Sequence, residues 1–389
     1  MNTYPPPAVT FVRGAGARLW DTAGRSYLDF VGGVAVCSIG HAHPAVADAL
    51  AEQARILLHV SNLYGTTVGL DVAQTLNRLI GAGEGSVFFA NSGAEANECA
   101  IKLARKWAPQ GRYAVISADR SFHGRTLATL HATGQPHRHG PFQPLPAGFR
   151  HVPYGDLGAL RAAAAAPDVA AVLLEAVQGE GGVWEAPPGY LEGARQVCDD
   201  AGVLLMMDEV QTGLGRTGRW FGFQHAGLRG TNGVEAVLPD VVTVAKALGN
   251  GVPIGACWAR DDVAAAFVPG DHATTLGGQP LATSAARAVL KVMEEEDVPA
   301  RAAAGGARLA AGLRSIPGVA EVRGWGLLLG AELRHRPAAE VAAAALRAGL
   351  LVNPVQPTTL RFVPSLLVTD DEIDECVGIL GRVLAEVAA

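Results

Sequence analysis

Lysine is scarce in this chain. Four lysines, at positions 102, 106, 246 and 291, stand against 27 arginines in 389 residues. Almost every cation is written as arginine, so each surviving lysine calls for its own account. Cysteine is sparse as well. The five residues at 37, 99, 198, 257 and 376 are widely spaced and never form a C-x-x-C pair. That argues against a disulfide framework and a zinc site, and fits a reducing compartment. No run of 18 apolar residues occurs, so no stretch reads as a membrane-spanning helix. The opening MNTYPPPAVT lacks a basic stretch followed by an apolar one, so it does not read as a signal peptide. A cytoplasmic protein is the expectation. A basic excess is missing too: 31 Lys+Arg against 37 Asp+Glu give a net charge of −6. Nucleic acid is a poor partner for such a balance.

What is present is a composition for folding. Apolar residues make up 49% and charged residues 17%, far too apolar for a disordered chain. The length suggests two domains. Residues 1–30 alternate in short runs between Gly and Pro, as small strands and turns do. Pro44 and the apolar stripe Val46, Ala49, Leu50, Ala54 predict a helix between His43 and His59. From about 70 to 280, apolar runs of strand length alternate with helical stretches. The runs are Val87–Phe89, Ala114–Ile116, Ala170–Leu174, Val203–Met207, Val241–Val244 and Ile254–Trp258. This predicts an α/β fold with a mostly parallel sheet covered on both faces. The last hundred residues read as a smaller α+β domain. The expected division is 1–55 as an N-terminal segment joining the small domain, 56–281 as the large domain, and 282–389 as the C-terminal small domain.

In such sheets, ligands bind beyond the carboxyl ends of the strands. The run ending at Ala90 is followed by Asn91-Ser92-Gly93-Ala94, which opens a helix. Free N–H groups there can hold an anion such as phosphate; a plain Ser N-cap is the alternative. The Val203–Met207 run ends in Asp208-Glu209-Val210-Gln211, and Ala170–Leu174 ends in Glu175, with Gln178-Gly179-Glu180 close behind. Solvated loop acids are the bland reading of these. Lys246 follows a buried run and precedes a Gly-rich turn, whereas Lys102, Lys106 and Lys291 read as surface residues. A lysine among apolar groups has a lowered pKa and can act as a Schiff-base nucleophile; a salt bridge to a strand-end acid is the alternative. Phe122-His123-Gly124-Arg125 offers an aromatic plate and a carboxylate clamp. Thr274-Thr275 opens a second turn able to donate to phosphate. Arg361 alternates with apolar residues in a strand-like run and can equally be a surface arginine. Cradle, plate, acid, lysine and arginines are together the parts that pyridoxal phosphate needs.

On these residues the sequence resembles the class III, or ω-amino, branch of pyridoxal-phosphate aminotransferases. The run DEVQTGLGRTG before AKALGNGVPIGA carries the resemblance most specifically, with FHGR and SNLY beside it. The resemblance covers nearly the whole chain and implies fold type I and a homodimer with shared active sites. It implies that Lys246 holds the cofactor and shuttles the proton, and that Asp208 pairs with the ring nitrogen. Glu209 and Val210 would line the cofactor, Gln211 would bond its hydroxyl, and Phe122 would stack on its ring. Ser92, Gly93 and Ala94 would bind the phosphate, with Thr275 reaching it from the partner subunit. Arg125 would take the distal carboxylate of the donor, Thr274 would touch substrate from the partner, and Arg361 would bind the carboxylate of 2-oxoglutarate. Glu180 would pair with Arg361 as a gate.

The implied reaction moves the δ-amino group of N2-acetylornithine to 2-oxoglutarate, in arginine biosynthesis. Ornithine, succinylornithine, 4-aminobutyrate or a carrier-linked lysine are alternative donors. A non-catalytic or regulatory protein on the same fold and an isomerase or racemase are the rival classes. The chain departs from the usual family pattern at Thr274–Gln279, at a small insertion over Gly230–Val237, and at Gly65-Thr66-Thr67 after SNLY.

Overall fold

The computed structural model describes residues 1–226 and 237–388. All but the last residue of the Gly230–Val237 insertion therefore lies outside the described residues. A seven-stranded sheet forms the centre. Its strands are β1 (Gly85–Ala90), β2 (Ala114–Ala118), β3 (Phe149–Val152), β4 (Val169–Leu174), β5 (Leu204–Asp208), β6 (Val241–Val244) and β7 (Gly255–Arg260), in the spatial order β1-β7-β6-β5-β4-β2-β3. Six strands point one way. β7 runs antiparallel to both neighbours, β6 and β1. The sheet is thus mostly parallel, as the alternating pattern predicts, with one reversed strand.

The strands have continuous apolar sequences because both faces are covered. Alternate residues feed two different cores. Ala171, Leu173, Leu204 and Met206 pack with Cys99, Ala100 and Leu103 of the helix Gly93–Trp107. Val172, Leu174, Leu205 and Met207 pack with Leu191, Ala194 and Val197 of the helix Tyr190–Ala201. The predicted first helix spans Pro44–Ile56, and the His43 side chain caps it by accepting from the Ala45 N–H at 3.3 Å.

A second sheet, all antiparallel, holds β8 (Val319–Trp325), β9 (Leu328–Leu333), β10 (Asn353–Gln356) and β11 (Thr359–Phe362) in the order β8-β9-β11-β10. The strands of residues 11–29 form a third sheet, which Leu350–Leu351 extends in parallel with Ser26–Asp29. Among the described residues no helix is long and apolar enough to cross a membrane.

Asp240, immediately before β6, ties the sheet together. It is 2% exposed. One oxygen accepts from the Leu205 N–H at 2.7 Å and from Arg195 at 2.8 Å; the other faces Arg260 at 3.0 Å. Removing it strands a buried N–H and Arg195. Asp240→Ala is expected to lower the unfolding free energy by about 3 kcal/mol, read by denaturant titration. A loss below about 1 kcal/mol contradicts this account.

Candidate active site

The carboxyl ends of β1, β2, β4, β5 and β6 all open onto one edge of the sheet. There they surround a cavity of about 370 Å³, within the usual range of roughly 300–1,000 Å³ for small-molecule sites. Ser92, Phe122, Glu175, Asp208 and Lys246 all line it.

Asp208 ends β5 and is 4% exposed. Its Oδ2 accepts from Asn97 Nδ2 and pairs with His123 Nδ1, both at 2.8 Å, and its Oδ1 accepts from the Val210 N–H at 3.0 Å. Asn97 is itself fixed. It donates to the His123 carbonyl at 2.8 Å, and its Oδ1 accepts from Thr243 at 2.7 Å. The carboxylate is therefore immobile, oriented and sheltered from water. His123 Nε2 is buried with no hydrogen-bond partner among the described residues.

Lys246 follows β6 with φ at +40°, rare for a residue with a side chain. Burial lowers its pKa to about 8. Arg361 pushes the same way, against the opposing pull of Glu180, Asp208 and Glu175. Glu175 is pushed up to about 7 by burial, and it accepts from the Phe122 N–H at 2.8 Å, which sets the loop carrying the ring. Arg125 lies over that ring, 5.5 Å from its centroid.

Arg361, on β11, is 1% exposed. It donates to Glu180 at 2.6 Å, to Gln211 at 3.1 Å and, across the sheet, to Asn353 at 2.6 Å. Burial would raise the Glu180 carboxyl, but the charges of Arg361 and Lys246 outweigh it and hold the pKa below the ordinary value. The pair is an intact ion pair beside the lysine.

Ser92 fulfils both readings of its position. Its hydroxyl caps the helix by accepting from the Glu95 N–H at 3.2 Å, and the residue also lines the cavity with Gly93 and Ala94. Gly93 has no room for a side chain, since a Cβ would meet Val210 at 2.7 Å. The backbone can thus come close to a ligand.

Four expected site residues are off the cavity lining: Arg361, which meets it through Glu180 and Gln211, then Glu209, and finally Thr274 and Thr275, which the resemblance assigns to the partner's cavity. Glu209 faces away from the cavity. Its carboxylate accepts from Thr212 at 2.6 Å, Gly222 at 2.8 Å and Phe223 at 2.9 Å, and burial raises its pKa to about 7. Thr274 and Thr275 are off the cavity lining, with Thr275 exposed. Their turn is tied to the SNLY segment. Asn62 donates to the Thr274 and Gly277 carbonyls at 3.1 and 3.0 Å, and Gln279 accepts from Val60 and Ser61 at 2.9 and 3.0 Å.

These residues fit pyridoxal phosphate. A helix N-terminus with a glycine pressed against Val210 suits the phosphate. A fixed carboxylate suits a protonated ring nitrogen, and a lysine of lowered pKa suits an aldehyde. Among the described residues no cluster suits a metal ion.

The sequence profile of the family Aminotransferase class-III matches residues 2–384. The chain belongs to the class III aminotransferases, which are pyridoxal-phosphate-dependent enzymes. It is 49% identical over 406 aligned residues to the acetylornithine aminotransferase of Thermosynechococcus vestitus, covering 100% of this chain and 96% of that protein. The N-acetylornithine aminotransferase structure from Stenotrophomonas maltophilia superposes with a TM-score of 0.84 at 38% identity, covering 99% of this chain and 97% of the other. An ornithine aminotransferase structure from Toxoplasma gondii, described as showing partial occupancy of PLP at its active site, gives a TM-score of 0.92 at 35% identity, covering 100% and 92%.

The neutral fraction of the Lys246 amine rises with pH through about 8 rather than about 10.5. In cofactor-stripped protein, borohydride-trapped labelling of Lys246 by pyridoxal phosphate is expected to accelerate with pH around that lower midpoint. A midpoint near 10.5 contradicts the site's electrostatics.

Proposed function

We propose that this enzyme transfers the δ-amino group of N2-acetylornithine to 2-oxoglutarate, giving N-acetylglutamate 5-semialdehyde and glutamate on the route to arginine. The observation that carries the reading is the arrangement of arginines. Arg361, beside the lysine, is already neutralised by Glu180. Arg125, at the mouth, is exposed and has no carboxylate partner among the described residues. A donor whose carboxylate lies far from its reacting amine meets the free cation and leaves the inner pair intact. The names of the curated relatives point the same way.

Bound pyridoxal phosphate supplies an aldehyde for the amine and a ring that accepts electrons. The chain does the rest. Ser92, Gly93 and Ala94 would hold the phosphate, and Asp208 would keep the ring nitrogen protonated. Phe122 and Val210 would flank the ring, and Gln211 would reach its hydroxyl. Lys246 would anchor the group and then carry a proton at the reacting carbon. Glu180 releases Arg361 when 2-oxoglutarate brings a carboxylate beside its own reacting carbon. An arginine buried without an anion would be costly, which is why an exchange of partners is needed.

The second subunit belongs to the same reading. Leu63, Tyr64 and Leu276 are 84%, 70% and 61% exposed beside the Thr274–Gln279 turn. A symmetric partner would cover them and bring its own Thr274 and Thr275 to this cavity. The working form is then a cytoplasmic homodimer.

A donor panel with 2-oxoglutarate as acceptor tests the assignment: N2-acetylornithine should exceed ornithine and 4-aminobutyrate in kcat/KM, and a reversed order refutes it. Glu180→Ala should raise the relative use of α-amino donors such as glutamate by roughly tenfold, the worth of one charge-assisted contact. An unchanged donor order rules out the exchange.

A further inference from the structure

Val36 lines the catalytic cavity, and the residue after it, Cys37, belongs to a second cluster. The strand Ser26–Asp29 ends in Asp29, which is 2% exposed. Its Oδ1 accepts from the Val31 and Gly32 N–H groups at 2.8 and 2.9 Å, and its Oδ2 pairs with His41 Nε2 at 2.7 Å. That leaves Nδ1 for the other bond of the ring, which goes to the Cys37 thiol. The bond to Asp29 and then the bond to Cys37 raise the His41 pKa to about 10, against burial. The imidazole is therefore a charged donor at neutral pH. Carboxylate, imidazolium and sulfur stand in line.

The turn that carries them is held on several sides. The Gly40 N–H donates to the Cys37 carbonyl at 3.2 Å. The Ser38 hydroxyl donates at 3.0 Å to the carbonyl of Ala247, the residue after the catalytic lysine. The Ser38 carbonyl accepts from the Leu366 N–H at 2.7 Å and from the Ser365 hydroxyl at 3.3 Å. A second cation borders the turn through the same segment. Arg216, 1% exposed, donates to the Pro364 carbonyl at 2.7 Å, and its buried Nε has no partner among the described residues. Its charge and that of Cys37 interact. Cations beside a sulfur favour its nucleophilic, deprotonated form. Access differs among the cysteines as well. Cys99, Cys198, Cys257 and Cys376 are buried, whereas Cys37 is partly exposed.

We propose that Cys37 is a thiol modification site, activated by the His41–Asp29 pair, whose reactant is a low-molecular-weight disulfide. The Cys37 sulfur attacks one sulfur of that disulfide. A new S–S bond forms as the old one breaks. Cys37 is oxidised, and the departing half leaves as a reduced thiol carrying the proton that Cys37 gave up. An excess of reduced thiol reverses the exchange. None of this depends on which amino donor the enzyme uses.

Holoenzyme incubated with glutathione disulfide should gain a single adduct, mapped by mass spectrometry to Cys37, and Cys37→Ser should gain none. His41→Gln removes the charged donor and should slow the adduct about tenfold, the worth of one hydrogen bond to a charged group. A second measurement needs no variant. At neutral pH, Cys37 in the native holoenzyme should react about tenfold faster than the same residue in urea-unfolded protein, although folding hides part of it. A thiol that serves only as a structural hydrogen-bond partner would react more slowly when folded. No adduct, an adduct on another cysteine, a native rate at or below the unfolded one, or an unaltered rate in folded His41→Gln overturns the proposal.

Discussion

A carboxylate kept out of water organises this enzyme. Asp208 is held by Asn97 from the helix after β1, by His123 from the loop after β2, and by the backbone of its own turn. Thr243 of β6 locks Asn97 from behind. Four segments, distant in sequence, thereby share one buried network at one point. Charge-assisted hydrogen bonds in a sheltered site are strong, and an unmatched charge there is costly. The network therefore favours a single arrangement of the strand ends, and the catalytic geometry follows from that arrangement.

Around it, charge is balanced over a small volume. Lys246 lies among Glu180, Asp208, Glu175 and Arg361, and burial still lowers its pKa to about 8. Burial also raises Glu175 to about 7, so this acid and the lysine come closer in proton affinity than free side chains do. A proton can then be exchanged between these two groups at moderate cost. Arg361 is the exception, permanently charged and almost wholly enclosed, which is why its anion partner matters so much.

Much of this was legible in the sequence because the informative residues interrupt a simple pattern. Lys246 and Asp208 each end a continuous apolar run, and such runs mark strands covered on both sides. Direction was not legible. An apolar run reads the same forwards and backwards, so nothing in Ile254–Trp258 announced that β7 is reversed. Glu209 misled for a related reason. Neighbouring side chains at a strand end point to opposite faces, so when Asp208 turns to the cavity, Glu209 turns into the fold and caps Gly222 and Phe223. The role of Asn97 was not legible. Its only local signal is that it lies one turn beyond Gly93 on the same helix.

The reversed strand has a use beyond topology. β7 separates β1, whose end carries Ser92 and Gly93, from β6, which leads to Lys246. With neighbouring strands about 4.8 Å apart, it holds those two ends roughly 9.6 Å from each other. Because it is antiparallel, its first residue, not its last, meets the cavity edge. That residue is Gly255, where any Cβ would strike the Ser92 carbonyl. The strand thus works as a spacer bar with a blank end. It sets the span between the anion seat and the amine, and it adds no side chain of its own to fill the gap.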